Sequence, residues 1–356
     1  MNIRLGPLLF LLAGILASPA LAEPPHHQHR SGALHSVGPG EAPHFHHVDL
    51  DKLIHVDDIA KAPDVLPPPI QRKKPQTVKF ELEFRELVST LAPDTEFVFW
   101  TFNGTVPGPL MRARVGDTVE LTLTNHATST HSHSIDLHAV TGPGGGAGLS
   151  EVKPGETRTI AFKALKPGVY LYHCATPNVP SHITNGLYGL IIIDPEEGWP
   201  QVDHEFYIMQ GEFYTRGSVG ETGFQDFSPD KMMQERPEYI VWNGRVKSLT
   251  GDKALRARRG ERIRIFVGNG GVSRVLNFHI IGEMFDAVYP EGAMGPPRHG
   301  VQTTLVPAGG AAMVELVLEN AGDYILLDHA IARIDRGSYG LLQVEGDPAP
   351  GLLFVP

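Results

Sequence analysis

The chain holds a single cysteine, Cys174, among 356 residues. With no second thiol it cannot close an internal disulfide, and with no CxxCH it cannot attach a c-type haem. It also lacks a long basic run. Its 30 Lys and Arg against 40 Asp and Glu leave a formal charge of −10 with histidines neutral. That balance argues against nucleic acid or an anionic membrane surface as partners and suits docking to a basic protein. Beyond residue 22 no apolar run nears the roughly 18 residues of a membrane helix, and no long amphipathic helical pattern is present. What remains is an ordinary globular balance, with 41% hydrophobic and 20% charged residues. The length suffices for two domains with cores of their own.

Residues 1–22 carry Arg4, an apolar run from Leu8 to Leu16 and the small-residue pattern Ala20-Leu21-Ala22. They read as a secretory signal peptide cleaved after Ala22, which predicts a soluble periplasmic protein. Residues 23–77 form a His- and Pro-rich extension, with eight of the 18 histidines between His26 and His55. Its lack of apolar periodicity predicts a flexible arm, with loose copper or zinc capture as the rival reading. From Val78 the pattern changes to short strands broken by Gly, Pro, Asn and Asp. VELTLTN, TRTIAFKA, GVYLYHC, GLIIID, RIRIFVGN, AMVELVLEN and DYILLDH all read as half-buried strands. LMRARVGDTVELTLTN (Leu110–Asn125) is repeated as ALRARRGERIRIFVGN (Ala254–Asn269), PGVYLYHCA as AGDYILLDHA, and GLYGLIII as GSYGLLQV. The fold class is therefore all-β: two tandem β-sandwich domains, 78–195 and 196–356. The second includes an interdomain segment, and its repeat-matching part begins near residue 245.

Strand alternation sorts the metal-ligating residues. His173 and Cys174 are neighbours, so they point to opposite faces. His133 and His138 differ by five and, if extended, also face apart, whereas Asp136 shares the face of His138. Two sites follow. One gathers His133, Cys174 and His182, the His₂Cys set of a blue-copper electron-transfer centre. The other gathers His138 and His173 with Asp136 nearby, and lacks a third strong ligand. Aligning Tyr170 with Tyr324 sets Asp328 opposite Cys174, and aligning GLYG with GSYG sets Ser338 opposite Leu187, so the second repeat has no blue-copper set. It does keep His279 and His329 in strand-like positions, one or both of which could complete the second site across an interface.

FWTFNGTVPGP, HSIDLHAVTGPGGGA, YHCATPNVPSHITNGLYG, FHIIGEMFD and VPAGGAAMVE occur in that order. Through these segments, over roughly residues 60–347, the sequence resembles the copper-containing nitrite reductases. The resemblance implies two cupredoxin-like domains, a homotrimer, and two coppers per chain. It implies His133, Cys174 and His182 as ligands of the type 1 copper that takes up the electron. It implies His138, His173 and His329 as ligands of the catalytic type 2 copper, with His329 from a neighbouring subunit. Asp136 and His279 match the pair that handles protons around nitrite. Ile281 matches an apolar residue of the substrate pocket, and Thr303 a hydroxyl that orients the histidine. A small redox protein, cupredoxin or c-type cytochrome, is the implied donor, and denitrification or nitrate assimilation the implied setting.

One position departs from the family. Five residues past His182 the family carries an axial methionine, and here stands Leu187, which cannot coordinate. A higher type 1 potential is expected. Met209 lies in the interdomain segment, far along the chain, and His131 has the strand parity of His133 and could compete as a ligand. A two-domain laccase would need four His-x-His pairs, and outside the N-terminal tract only His131-Ser132-His133 has that form. An electron carrier with an unused second site, or a copper store built on the His-rich arm, are the other rivals.

Overall fold

A computed structural model of the chain describes residues 53–353. The expected signal peptide, residues 1–22, and the His-rich stretch through His47 lie outside the described residues. In chain order the strands are β1 (Ile54–His55), β2 (Thr77–Ala92), β3 (Thr95–Phe102), β4 (Met111–Arg114), β5 (Thr118–Asn125), β6 (Asp136–Leu137), β7 (Thr157–Lys163), β8 (Gly168–His173), β9 (Tyr188–Asp194), β10 (His204–Phe213), β11 (Gly223–Gln225), β12 (Tyr239–Trp242), β13 (Leu255–Arg258), β14 (Arg262–Asn269), β15 (Leu276–Ile281), β16 (Ala287–Tyr289), β17 (Thr303–Val306), β18 (Ala311–Val317), β19 (Gly322–Asp328) and β20 (Tyr339–Glu345). The α-helices are short, four to six residues each: α1 (Ala147–Ser150), α2 (Val179–Thr184) and α3 (Pro229–Met233).

The strands form four sheets, two in each half. In the first half β2 runs parallel to β5 and antiparallel to β3, and β9 lies between parallel β4 and antiparallel β8. In the second half β10 runs parallel to β14 and antiparallel to β12, and β20 lies between parallel β13 and antiparallel β19. The plan of these strands is therefore repeated, and mixed neighbours of this kind come from Greek-key connections. Leu82, Leu121, Ile191 and Ile193 share one core, and Ile265, Val314, Phe278 and Leu342 the other.

The second copy starts earlier than the sequence repeat suggests. β10 takes the place of β2, although the repeat was read only from residue 245. The two strands share no pattern because their surroundings differ: the first half of β2 alternates exposed and covered residues, whereas β10 is buried from Phe206 onward. β11, from the interdomain segment, joins the first half's sheet beside β3.

A third core lies between the halves. Val169, Leu171, Leu190 and Ile192 from the first half pack with Tyr207, Met209, Phe266 and Met313 from the second. β9, β14 and β18 thus bury both faces and are not the half-buried strands expected from their sequences. Each large side chain withdrawn from water here contributes about 1.5–3 kcal/mol. Glu205 adds an ionic tie, reaching Arg112 at 2.6 Å and Arg264 at 2.7 Å.

Residues 53–77 also differ from expectation. They are fastened to the body rather than forming a flexible arm. β1 pairs with β2, Leu53, Ile59 and Ala60 are buried, and Asp58 bridges Arg245 and Lys253 at 2.8 Å each. Arg72 pairs with Asp117. The anchors are single residues docking into gaps of the sheets, which leaves no period for a sequence reading to detect.

Candidate functional site

The chain leaves β8 at His173, and Cys174 turns to the opposite side. Its backbone N–H donates to Leu187 O at 3.1 Å, which fixes where the thiol points. His133 is held by reciprocal backbone bonds with Val152. His182 stands on α2, which opens at Asn178 and carries Pro180 in its first turn. These three elements bring three donor atoms together. Sγ of Cys174 lies 3.2 Å from Nδ1 of His182 and 3.8 Å from Nδ1 of His133, and the two nitrogens are 3.2 Å apart. The point in their plane equidistant from all three lies about 2 Å from each, close to metal–ligand bond lengths. All three residues are buried, so the donor set is dry as well as correctly spaced.

Its electrostatics suit a soft cation. Burial opposes ionisation of Cys174, yet His182 and His133 beside it hold the thiol well below its ordinary value. Burial likewise disfavours a charged His133, but the Cys174 thiolate and the Glu86 carboxylate push it up to about 9. Burial pushes His182 down. Thiolate and imidazolium therefore favour one another here, and a cation held by the three donors would replace the imidazolium's charge.

On the opposite face, Nε2 of His138 lies 3.2 Å from Nε2 of His173, and Oδ2 of Asp136 lies 3.8 Å from the latter. His173 donates through Nδ1 to Cys174 O at 2.9 Å, which leaves the Nε2 lone pair free for a ligand. His138 hydrogen-bonds the backbone of Gly309, and burial with the neighbouring His173 pushes its pKa down. Asp136 is shaped by the loop after it: a Cβ on Gly145, where φ is +55°, would run into Oδ1 of Asp136.

The second half brings its own pair together. His279 and His329 have ring centroids 5.1 Å apart and line an open hollow with Asn277, Gln302 and Thr303. Nδ1 of His279 donates to Gln302 O at 2.7 Å, and Thr303 Oγ1 lies 3.4 Å from the same nitrogen. Ile281 is 46% exposed in a single chain. Among the described residues of one chain, neither His279 nor His329 joins the His138, His173 and Asp136 cluster.

The residues left open resolve simply. Met209 is buried between the halves, where its sulfur accepts from Tyr207 Oη. His131 gives Nδ1 to Glu86, 3.0 Å away, and stays out of the His133, Cys174 and His182 set. Leu187 is fully buried in the same apolar cluster as Cys174. Asp328, opposite Cys174 in the repeat, pairs with Arg333 and bonds Asn277 Nδ2 at 3.0 Å, so an ion pair stands in the second half where the first has its donor set. Sequence reasoning missed Glu86. The available signal was its place on the inward face of β2, with Leu82, Phe84 and Val88, all apolar and buried.

A family model described as multicopper oxidase matches residues 88–198. A copper-containing nitrite reductase of Neisseria meningitidis serogroup B is 49% identical over 293 residues, covering 82% of this chain and 75% of that protein. One from Alcaligenes faecalis is 36% identical over 292 residues, covering 77% of each. The chain belongs to the copper-containing nitrite reductases. The solved copper nitrite reductase of Nitrosomonas europaea superposes with a TM-score of 0.68 at 33% identity, covering 77% of this chain and 96% of that one. As in any copper-containing nitrite reductase the metal is copper, and both halves are cupredoxin-like. The laccase alternative loses its one histidine pair of the right form, because among the described residues His131 joins neither donor set while His133 belongs to that of Cys174.

Proposed function

We propose that the chain reduces nitrite to nitric oxide using two copper sites. His133, Cys174 and His182 hold the type 1 copper, and His138 and His173 hold the type 2 copper together with His329 of a second copy. The observation that carries this reading is the adjacency of His173 and Cys174. Consecutive residues give donors to two sets on opposite faces of β8, so the sets are joined by covalent bonds. Copper, when bound, supplies one-electron chemistry at the first set and an open coordination position for an anion at the second.

The chain's own residues do the rest. Phe84, Trp100 and Leu187 wall the first set from water, with ring centroids of Phe84 and His133 5.0 Å apart and of Trp100 and His182 4.6 Å apart. The second set is nearer the surface, where nitrite can arrive. Each turnover consumes one electron and two protons and releases water. Oδ2 of Asp136, 3.8 Å from Nε2 of His173, is placed to relay one of the protons to an anion held there. His279 commits Nδ1–H to Gln302 O, so Nε2 is the atom that gains and gives up the other proton. Thr303 steadies that ring and Ile281 lines the pocket. A homotrimer, a small cupredoxin or c-type cytochrome as donor, and periplasmic export by residues 1–22 complete the proposal, in denitrification or nitrate assimilation.

The purified, copper-loaded protein is expected to bind two coppers per chain and to release one nitric oxide per electron supplied. One copper per chain with no nitric oxide would make it an electron carrier instead.

Leu187 sets the type 1 site apart from its methionine-bearing relatives. With no thioether to stabilise the oxidised metal, its potential should lie high. Leu187→Met is expected to lower the midpoint by at least about 59 mV, a tenfold change in a one-electron equilibrium. Spectroelectrochemical titration measures this, and an unchanged midpoint in the loaded variant counts against the axial assignment.

A further inference from the structure

Glu86 is a carboxylate in an otherwise apolar wall. It is 1% exposed, on a strand face where its neighbours are Leu82, Phe84 and Val88. A buried carboxylate is costly unless donors surround it, and here every neighbour donates. Thr130 N and His131 N give hydrogen bonds of 3.0 and 2.9 Å to Oε1, Thr130 Oγ1 one of 2.6 Å to Oε2, and His131 Nδ1 approaches Oε1 to 3.0 Å. The same Oε1 lies 3.4 Å from Nε2 of His133. That nitrogen is fully buried and makes no hydrogen bond of good geometry, so the Glu86 carboxylate reaches it as a facing charge. The other face of the His133 ring is covered by Phe84, stacked with centroids 5.0 Å apart and 21° between planes.

We infer that Glu86 is a positioning residue for the first donor set: it keeps the proton of His133 on Nε2, leaves Nδ1 free to bind metal, and places a fixed negative charge behind that ligand. The inference rests on the reading of His133 as a copper ligand. Its physical basis is the general one for imidazole ligands. Whichever ring nitrogen faces a carboxylate carries the proton, and the carboxylate makes the other nitrogen a stronger donor. Here the carboxylate lies one imidazole away from the donor triangle, in a buried region where solvent screens it little. A negative charge there favours the oxidised, more positive metal and so holds the potential down. It opposes the rise expected from Leu187, and the two residues together set where the midpoint falls.

The test is Glu86→Gln in the copper-loaded full chain. The amide keeps the size and an acceptor oxygen but removes the charge. The expected result is a positive shift of the type 1 midpoint with two coppers retained per chain. A midpoint equal to wild type in the loaded variant overturns the inference, because a merely structural Glu86 would leave the potential alone. Should Glu86→Gln fail to fold or load, Glu86→Asp keeps the charge and withdraws it from Nε2 by one methylene. It should raise the midpoint, and no rise there overturns the inference equally. The underlying ligand reading fails separately, if His133→Ala retains the thiolate-to-copper absorption of wild type.

Discussion

Replacing Cys174 with serine is expected to reduce nitric oxide formation by more than about a thousandfold, the equivalent of about 4 kcal/mol of barrier. Serine is nearly isosteric, and the site is closed by Phe84, Trp100 and Leu187, so the fold should survive. What is lost is the thiolate. The Cys174 thiol ionises readily because His182 and His133 outweigh its burial, whereas an alcohol in the same place stays neutral and is a poor ligand for copper. The two imidazoles left behind cannot hold the metal firmly. Copper should fall from two per chain to one, the intense visible absorption of the thiolate should vanish, and the remaining copper should keep a type 2 spectrum. A nitric oxide electrode with a protein donor reads the activity. Turnover near wild type without the visible band would show that electrons reach the second set by another route, and the Cys174–His173 link would have to be abandoned.

His329→Ala should silence the enzyme as completely, for a different reason. In one chain His138 and His173 stand 3.2 Å apart without a third imidazole, while His329 sits beside His279 elsewhere. If the two half-sites meet between copies, each site takes His138 and His173 from one chain and His329 from the next. Chains carrying His138→Ala and chains carrying His329→Ala should each be inactive. Unfolded together in equal amounts and reassembled, they should regain about a quarter of wild-type activity. In a closed ring each interface has one chance in four of pairing an intact donor with an intact acceptor, by the arithmetic of a heterologous interface. A mixture that stays as inactive as its components would place all ligands within one chain and sink the shared site.

The two halves differ in how visible they were before the structure. The two donor clusters were legible because strand alternation is rigid: adjacent His173 and Cys174 have to face apart, and they fall in separate clusters. The repeat was legible from Leu110–Asn125 and Ala254–Asn269, which became the equivalent strands β4–β5 and β13–β14. β10 was not matched to β2, because one is buried on both faces and the other is not. The anchoring of residues 53–77 was not legible either, since Leu53, Ile59 and Asp58 act as isolated anchors without periodicity.

Local chemistry carried in the sequence therefore determined the all-β class, the duplicated domain, the single thiol with its two imidazoles, and the leucine five residues past His182. These follow from residue identity and from the period of a strand, and both are set along the chain. Only the tertiary structure decided what surrounds those ligands. The acid that faces His133 is 47 positions away from it, on a strand whose inward face is otherwise apolar. The backbone that holds His138 comes from Gly309 in the other half. Contacts of that kind depend on how sheets pack, which depends on the whole set of buried side chains at once, and no spacing along the chain records it.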